Sequence, residues 1–300
     1  MGKMTLQALL GDAEQTLKQM PEASATLIIA DPPFPPDSPT EEELERYLDF
    51  SRGWIREAAR VLREDGTLYV FMGTRAVAYV YGILEREAGL HFNSWITHYY
   101  TQGVGKTKGY SSRHDDILMF TKSPKNYVFN LDDIRVPQKF YRSVNNMRGA
   151  NPGNVWEFSN VSRPSAPTQK PEALYERMIL ASSCPGDTVI DPFLGSGTCL
   201  RVCQQTDRAC IGIDSDPACI EASQRRLEEE FTGFDSIDER MYRVPGDMND
   251  PAVREEYVEN HLRWFLKNHP DAVQKFLDDV YVKYRNKDRA EGTQLSLFDT

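Results

Sequence analysis

Between residues 188 and 230 the chain alternates short apolar runs with helical patterns, and this alternation constrains the fold more than any other feature. TVID at 188–191 reads as a strand, a glycine-rich turn follows, and 198–205 reads as a helix. ACIGI at 209–213 is a second strand and 216–230 a second helix. A strand, a crossover helix and a further strand run in one direction, which gives a parallel sheet with helices on both faces. The pattern recurs nearer the start. ATLIIA at 25–30 is a short buried strand, and the capping-box spacing of Thr40 and Glu43 opens a helix to about residue 63. Asp65-Gly66 then turns the chain into LYVFM at 68–72.

The remaining segments are weaker. Residues 75–88 have helical character, and 94–100 and 116–121 are extended runs on either side of a Gly/Lys/Ser-rich loop at 102–114. Residues 122–167 hold little periodicity and are expected to be irregular; Pro171 begins a helix. Asp250-Pro251 looks like a helix N-cap with proline at the first helical position, and 271–286 places apolar side chains at helical spacing. The expected architecture is α/β: a mostly parallel, doubly wound sheet over 1–231, a helical appendage over 232–290 and a tail over 291–300.

No run of about 18 apolar residues exists, which argues against a membrane span. The first residues lack the apolar core of a secretory signal. Five cysteines without a C-x-x-C pair suit reduced thiols, hence a cytoplasmic setting. The net charge is −10, yet residues 98–170 carry 11 Lys and Arg against 5 Asp and Glu, a surplus of +6 that leaves −16 elsewhere. Aromatic residues are interleaved there. Such a stretch is either a solvated surface or a phosphate-binding face with stacking groups, and composition does not decide between them.

Two strand ends carry the chemistry. After 25–30 stands Asp31-Pro32-Pro33-Phe34. Ligands of open parallel sheets bind beyond the carboxyl ends of strands. Consecutive prolines fix two φ angles and remove two N–H donors, so the turn offers carbonyl acceptors beside a carboxylate and an aromatic plate. That set suits a planar ligand with an exocyclic NH2 group; the plainer alternative is an ordinary proline turn. After 188–191 stands Pro192-Phe193-Leu194-Gly195-Ser196-Gly197-Thr198, with Asp214 seventeen residues beyond Gly197 at the next strand end. An acid so placed suits ribose hydroxyls. No Gly-Lys-Ser/Thr follows, so this is not a P-loop, and Leu200 replaces the third glycine of a dinucleotide fingerprint. A nucleoside is indicated, although a ligand-free glycine turn has the same local pattern.

Taken together, these motifs resemble the S-adenosylmethionine (AdoMet)-dependent DNA amino-methyltransferases. Asp31-Pro32-Pro33-Phe34 resembles their catalytic tetrapeptide, and Asp191 to Thr198 their AdoMet loop. Thr168-Gln169-Lys170-Pro171 resembles the element before that loop, and Gly11-Asp12 the strand end at the AdoMet adenine. Arg113-His114-Asp115-Asp116 and residues 151–156 are also similar. The catalytic motif precedes the AdoMet loop, which is the circularly permuted order of the β group. The resemblance covers 5–230 and implies a Rossmann-like AdoMet-methyltransferase sheet without a metal. Asp as first residue of the tetrapeptide favours adenine N6; cytosine N4 is the alternative.

The resemblance implies roles. Phe34 would stack on a flipped-out base, while Asp31 and the Pro32 carbonyl would accept the two amino hydrogens, with Pro33 holding the turn. Asp12, Asp31, Thr168, Lys170, Asp191, Phe193, Gly195, Ser196, Gly197, Thr198 and Asp214 would surround AdoMet. Target recognition would fall in about 124–165. Lys106, Lys108, Arg113, Lys139, Arg142, Asn145 and Arg148 are the candidate contacts to double-stranded DNA. For 232–290, DNA contact, scaffolding and homodimer formation all remain open. Finally, Gln294-Leu295-Ser296-Leu297-Phe298 resembles the pentapeptide that docks bacterial proteins on the DNA sliding clamp, with Gln294, Leu295, Leu297 and Phe298 as the docking side chains. That would place the protein in the cytoplasm, at the nucleoid.

Overall fold

The computed structural model describes residues 5–36, 38–100, 106–136, 149–158, 169–231 and 251–252. The chain divides into two compact units, Met1–Arg243 and Val244–Thr300; the first is described below.

In chain order the elements are β1 (Leu6–Leu10), α1 (Ala13–Lys18), β2 (Ala25–Ala30), α2 (Glu41–Val61), β3 (Leu62–Met72) and α3 (Val77–Gly82), which runs on into a π-helical turn at Ile83–Glu87. β4 (His91–Tyr99), β5 (His114–Thr121), a 3-10 turn (Leu131–Asp133) and β6 (Val155–Glu157) follow. The chain then forms α4 (Glu172–Ser182), β7 (Thr188–Asp191), α5 (Thr198–Gln205), β8 (Ala209–Asp214) and α6 (Pro217–Glu228). One sheet takes the order β1-β8-β7-β2-β3-β5-β4-β6. β1, β8, β7, β2 and β3 are mutually parallel, β5 lies antiparallel to β3 and β4, and β6 pairs parallel with β4. The expected mostly parallel α/β sheet is therefore present.

Every residue of β2 is buried, as an apolar strand covered on both faces must be. Successive side chains point to opposite faces. Ile28, Leu68 and Val70 pack with Leu17, Trp54 and Ile55 of α1 and α2. Leu27, Ile29, Tyr69 and Phe71 pack with Leu174, Met178 and Leu200 of α4 and α5. The capping box is present: Glu43 N–H donates to Thr40 Oγ1 at 3.2 Å, and Thr40 N–H to Glu43 Oε2 at 2.8 Å.

Two local expectations are corrected. Asp65-Gly66 is a bulge inside β3, not a turn before it. Pairing with β2 steps from Ala25↔Leu62 to Leu27↔Thr67, and Arg63 braces the excursion through Asp65 at 2.7 Å and Asp187 at 3.3 Å. The edge strand β1, half-exposed along its length, ends just before Gly11-Asp12, where the resemblance placed a strand end. Within the stretch expected to be irregular, β6 forms because Asn154 is held by Trp95: its Nδ2 donates to the Trp95 carbonyl at 2.9 Å, while Thr97 N–H donates to the Asn154 carbonyl at 2.8 Å.

Candidate active site

The carboxyl ends of β1, β2, β7 and β8 bring Asp12, Asp31, Asp191 and Asp214 to one rim of the sheet. Gly11, Asp12, Asp31, Gln169, Lys170, Phe193–Ser196, Thr198 and Asp214 line a cleft of about 370 Å³ there. That lies within the roughly 300–1,000 Å³ of small-molecule sites.

The turn after β7 is built for close approach. Gly195 and Gly197 have φ of 52° and 79°, and a Cβ on Gly197 would stand 2.6 Å from the Ser223 Cβ. Leu194 N–H donates to the Ile213 carbonyl at 2.8 Å, and Gly195 N–H to Asp214 Oδ2 at 2.8 Å. Asp216 N–H donates to the other oxygen of Asp214 at 2.9 Å. Gly212 makes room for this packing, since a Cβ there would stand 2.5 Å from Leu194. Arg226 locks the far side: it donates to the Ser196 carbonyl and the Thr198 hydroxyl at 3.2 Å and pairs with Glu172. Phe193 packs edge-on against Trp54, ring centroids 5.3 Å apart. Asp12 caps α1, accepting from Gln15 N–H at 3.0 Å, while Gly11 N–H donates to the Asp214 carbonyl at 2.9 Å.

Burial pushes the Asp191 carboxyl up to about 8, against the pull of the Phe193 N–H and with a further push from Asp31 and Asp214. Asp191 is thus predominantly the neutral acid at pH 7.

Asp31 follows β2 and lines the cleft, and Phe34, three residues on, is forty percent exposed with its ring against Gly73. Lys170, just before α4, reaches into the same corner. Its Nζ lies 2.8 Å from Asp115 Oδ2, 3.8 Å from Asp31 Oδ2, and 5.8 Å and 5.2 Å from the ring centroids of Phe34 and Phe71. His98 stands behind, its Nδ1 3.7 Å from Asp115 Oδ2 (longer than a hydrogen bond) and its Nε2 3.1 Å from the Phe158 carbonyl. Burial raises the Asp31 carboxyl above the usual carboxylate range, partly offset by Lys170. Burial opposes the charge on Asp115 too, but His98 and Lys170 outweigh it and hold that carboxyl at about 2.

Of the predicted site residues, Asp12, Asp31, Pro33, Lys170, Phe193, Gly195, Ser196, Thr198 and Asp214 line the cleft, whereas Pro32, Phe34, Asp191 and Gly197 only neighbour lining residues in the chain. Thr168 lies outside the described residues, as do Lys139, Arg142, Asn145, Arg148, Gln294, Leu295, Leu297 and Phe298. Lys106, Lys108 and Arg113 are exposed in the loop before β5. The basic stretch is not all surface charge. Lys122 donates to the Ala59 carbonyl at 2.7 Å, and Arg135 binds Asp132 at 2.6 Å and the Gly149 carbonyl at 3.0 Å. Sequence reasoning missed Phe50 and Tyr175, which line the cleft, and assigned no role to His98 or Asp115. The unusual acid pair Asp115-Asp116 opening an otherwise apolar strand was the available signal.

The cleft suits AdoMet. Its acidic rim complements a sulfonium, and a glycine turn allows backbone contact with the amino-acid end. The DNA methylase family profile matches residues 25–225, and the chain belongs to that family: it is an AdoMet-dependent DNA methyltransferase of the N6/N4 group. It is 55% identical over 302 aligned residues to the type II methyltransferase M.HpaI of Haemophilus parainfluenzae, covering 97% of this chain and 96% of the relative. It is 36% identical to the DNA adenine methyltransferase YhdJ of Escherichia coli (strain K12), covering 73% and 81%. Among solved structures, the PvuII cytosine-N4-specific DNA methyltransferase has a TM-score of 0.64 at 18% identity, covering 77% of this chain and 92% of its own. The M1.HpyAVI–SAM complex has 0.56 at 24%, covering 74% and 99%. At these identities the solved structures speak for the fold.

Proposed function

We propose that this DNA methyltransferase transfers the AdoMet methyl group to adenine N6 of a base turned out of a specific duplex site. The observation that carries this reading is the Asp31 carboxylate lining the cleft, with Phe34 exposed three residues on and Lys170 Nζ 3.8 Å from the one and 5.8 Å from the ring centroid of the other. Asp leads the tetrapeptide, and the relative YhdJ is named as an adenine methyltransferase. A base in a duplex cannot reach the cleft, so it is extruded, and Phe34 stacks on it. AdoMet supplies an electrophilic methyl group on sulfur. Asp31 and the Pro32 carbonyl accept the two N6 hydrogens, which draws the nitrogen lone pair out of ring conjugation toward that methyl. The N6–carbon bond forms as the sulfur–carbon bond breaks, and the surplus N6 proton passes to Asp31 and then to water. Catalysis rests on position and fixed charge.

The glycine turn and Lys170 hold the methionine end of the cofactor, Asp214 the ribose and Asp12 the adenine. Lys106, Lys108 and Arg113 contact phosphates, and residues of about 124–165 read the sequence. We read the chain order, in which the strand of Asp31 precedes that of the glycine turn, as the permuted one. The segment 232–290, whose sequence reads as helical, is available for DNA contact or pairing of two copies, and the pentapeptide at 294–298 tethers the enzyme to a sliding clamp. Mass spectrometry of digested, methylated DNA tests the reading: N6-methyladenine supports it, and N4-methylcytosine replaces it with the alternative.

A further inference from the structure

One buried corner of the site holds more charge than cofactor binding explains. Lys170 Nζ stands between two carboxylates but is not shared equally: it is 2.8 Å from Asp115 and 3.8 Å from Asp31. Asp115 is itself fixed. It faces His98 in the β4–β5 register, and the Tyr100 hydroxyl donates to its Oδ1 at 3.4 Å. The His98 ring is fully buried and anchored on the Phe158 carbonyl.

We infer that Asp115 is a positioning residue for methyl transfer: by taking the Lys170 ammonium onto its own oxygen, it keeps that cation beside Asp31 without letting it close on the Asp31 oxygens. This rests on the reading of Asp31 as acceptor of the amino hydrogens. An acceptor in a desolvated corner faces opposed demands. It must be ionised, which needs a cation nearby, yet its lone pairs must stay open. The groups facing Asp31 are Lys170, Asp115 and His98, with Tyr47 from α2, Tyr175 from α4 and Asp191 from β7. Lys170 alone among them is a permanent cation, so the place where Asp115 parks it sets both properties of Asp31.

Two substitutions should move Asp31 in opposite senses. Lys170→Met removes the cation, so the Asp31 carboxyl titrates at higher pH. Asp115→Asn frees the ammonium to pair with Asp31 and removes a neighbouring negative charge, so Asp31 titrates at lower pH while its oxygens become occupied. The readouts are the carbon-13 carboxyl titration of Asp31 in the free full-length enzyme, assigned with Asp31→Asn, and the pH profile of kcat at saturating AdoMet and DNA. We expect the Asp31 midpoint and the acid limb to rise by about one pH unit in Lys170→Met and to fall in Asp115→Asn. In Asp115→Asn the plateau kcat should also drop roughly tenfold or more, with AdoMet affinity held. An unmoved midpoint, or movement in the same direction in both variants, overturns the inference. If Lys170→Met does not fold, Asp115→Asn decides alone: a lowered midpoint with a lowered plateau supports it, and an unmoved midpoint overturns it. Near-normal turnover by Asp31→Ala would remove the underlying reading instead, whatever the titrations show.

Discussion

The backbone N–H of Gly195 donates to Oδ2 of Asp214 at 2.8 Å, tying the turn after β7 to the end of β8. The second oxygen of Asp214 is taken by Asp216 N–H at 2.9 Å. Asp214 thus shapes the glycine turn as well as lining the cleft. Asp214→Ala strands two N–H groups, so the folded state should lose about 1–3 kcal/mol. AdoMet affinity should fall by more than one lost ribose contact explains, with DNA affinity nearly unchanged. Calorimetric titration and thermal unfolding check this; equal losses of AdoMet and DNA affinity would count against it.

Asp31→Ala should abolish methyl transfer while AdoMet binding and the fold persist, since on the proposed reading the carboxylate accepts from the target base. Single-turnover assays with equilibrium AdoMet binding measure both.

Phe34→Ala should weaken capture of the extruded base by about 1–3 kcal/mol, the worth of one base–aromatic stack. Phe34→Tyr should be tolerated, because the ring is 40% exposed and a hydroxyl can reach water. The fluorescence of 2-aminopurine at the target position reports the stacked state. Equal signals from wild type and Phe34→Ala would exclude the stack.

Asp191 gives a pH prediction with a definite sign. Its folded carboxyl is raised to about 8 from the ordinary 3.8 of an aspartate, so the folded state binds the proton more tightly than the unfolded one. The stability this confers is fully present below the unfolded pKa and is lost as pH rises through the folded one. Asp191→Asn imitates the neutral acid and keeps the acceptor for Phe193 N–H. Its melting temperature should therefore gain on wild type as pH rises from 4 to about 8 and level off above. A gap independent of pH would show that Asp191 is ionised in the fold.

The cations of the basic stretch should separate into two groups. Lys106→Ala, Lys108→Ala and Arg113→Ala should each lower DNA affinity and reduce the salt slope by about 1. Lys122→Ala and Arg135→Ala should lower the melting temperature and leave the salt slope alone, because both side chains bind backbone carbonyls inside the fold. Binding isotherms at several salt concentrations make the distinction. Deleting 294–300 should leave methylation of naked DNA intact and abolish binding to the purified clamp. Equal clamp binding by full-length and truncated protein would remove the tether.

Much of the scaffold was written locally. The largely apolar run of β2, the Thr40–Glu43 cap, and the strand, turn and helix of 188–205 are contiguous signals, and each became the expected element. Asp31, Gly195 and Asp214 were legible for the same reason: a strand end followed by a proline or glycine turn marks where a parallel sheet presents ligand-binding groups. Folding decided who shares a corner with whom. Lys122 reads as surface charge until α2 brings the Ala59 carbonyl to it, 63 residues away in sequence. Asp115 reads as a strand-opening acid until α4 and β2 carry Lys170 and Asp31 beside it. Backbone conformation answers to neighbouring residues, so motifs announce it. A side chain's charge, partners and protonation answer to whatever the folded chain places within a few ångströms, and no contiguous pattern encodes that.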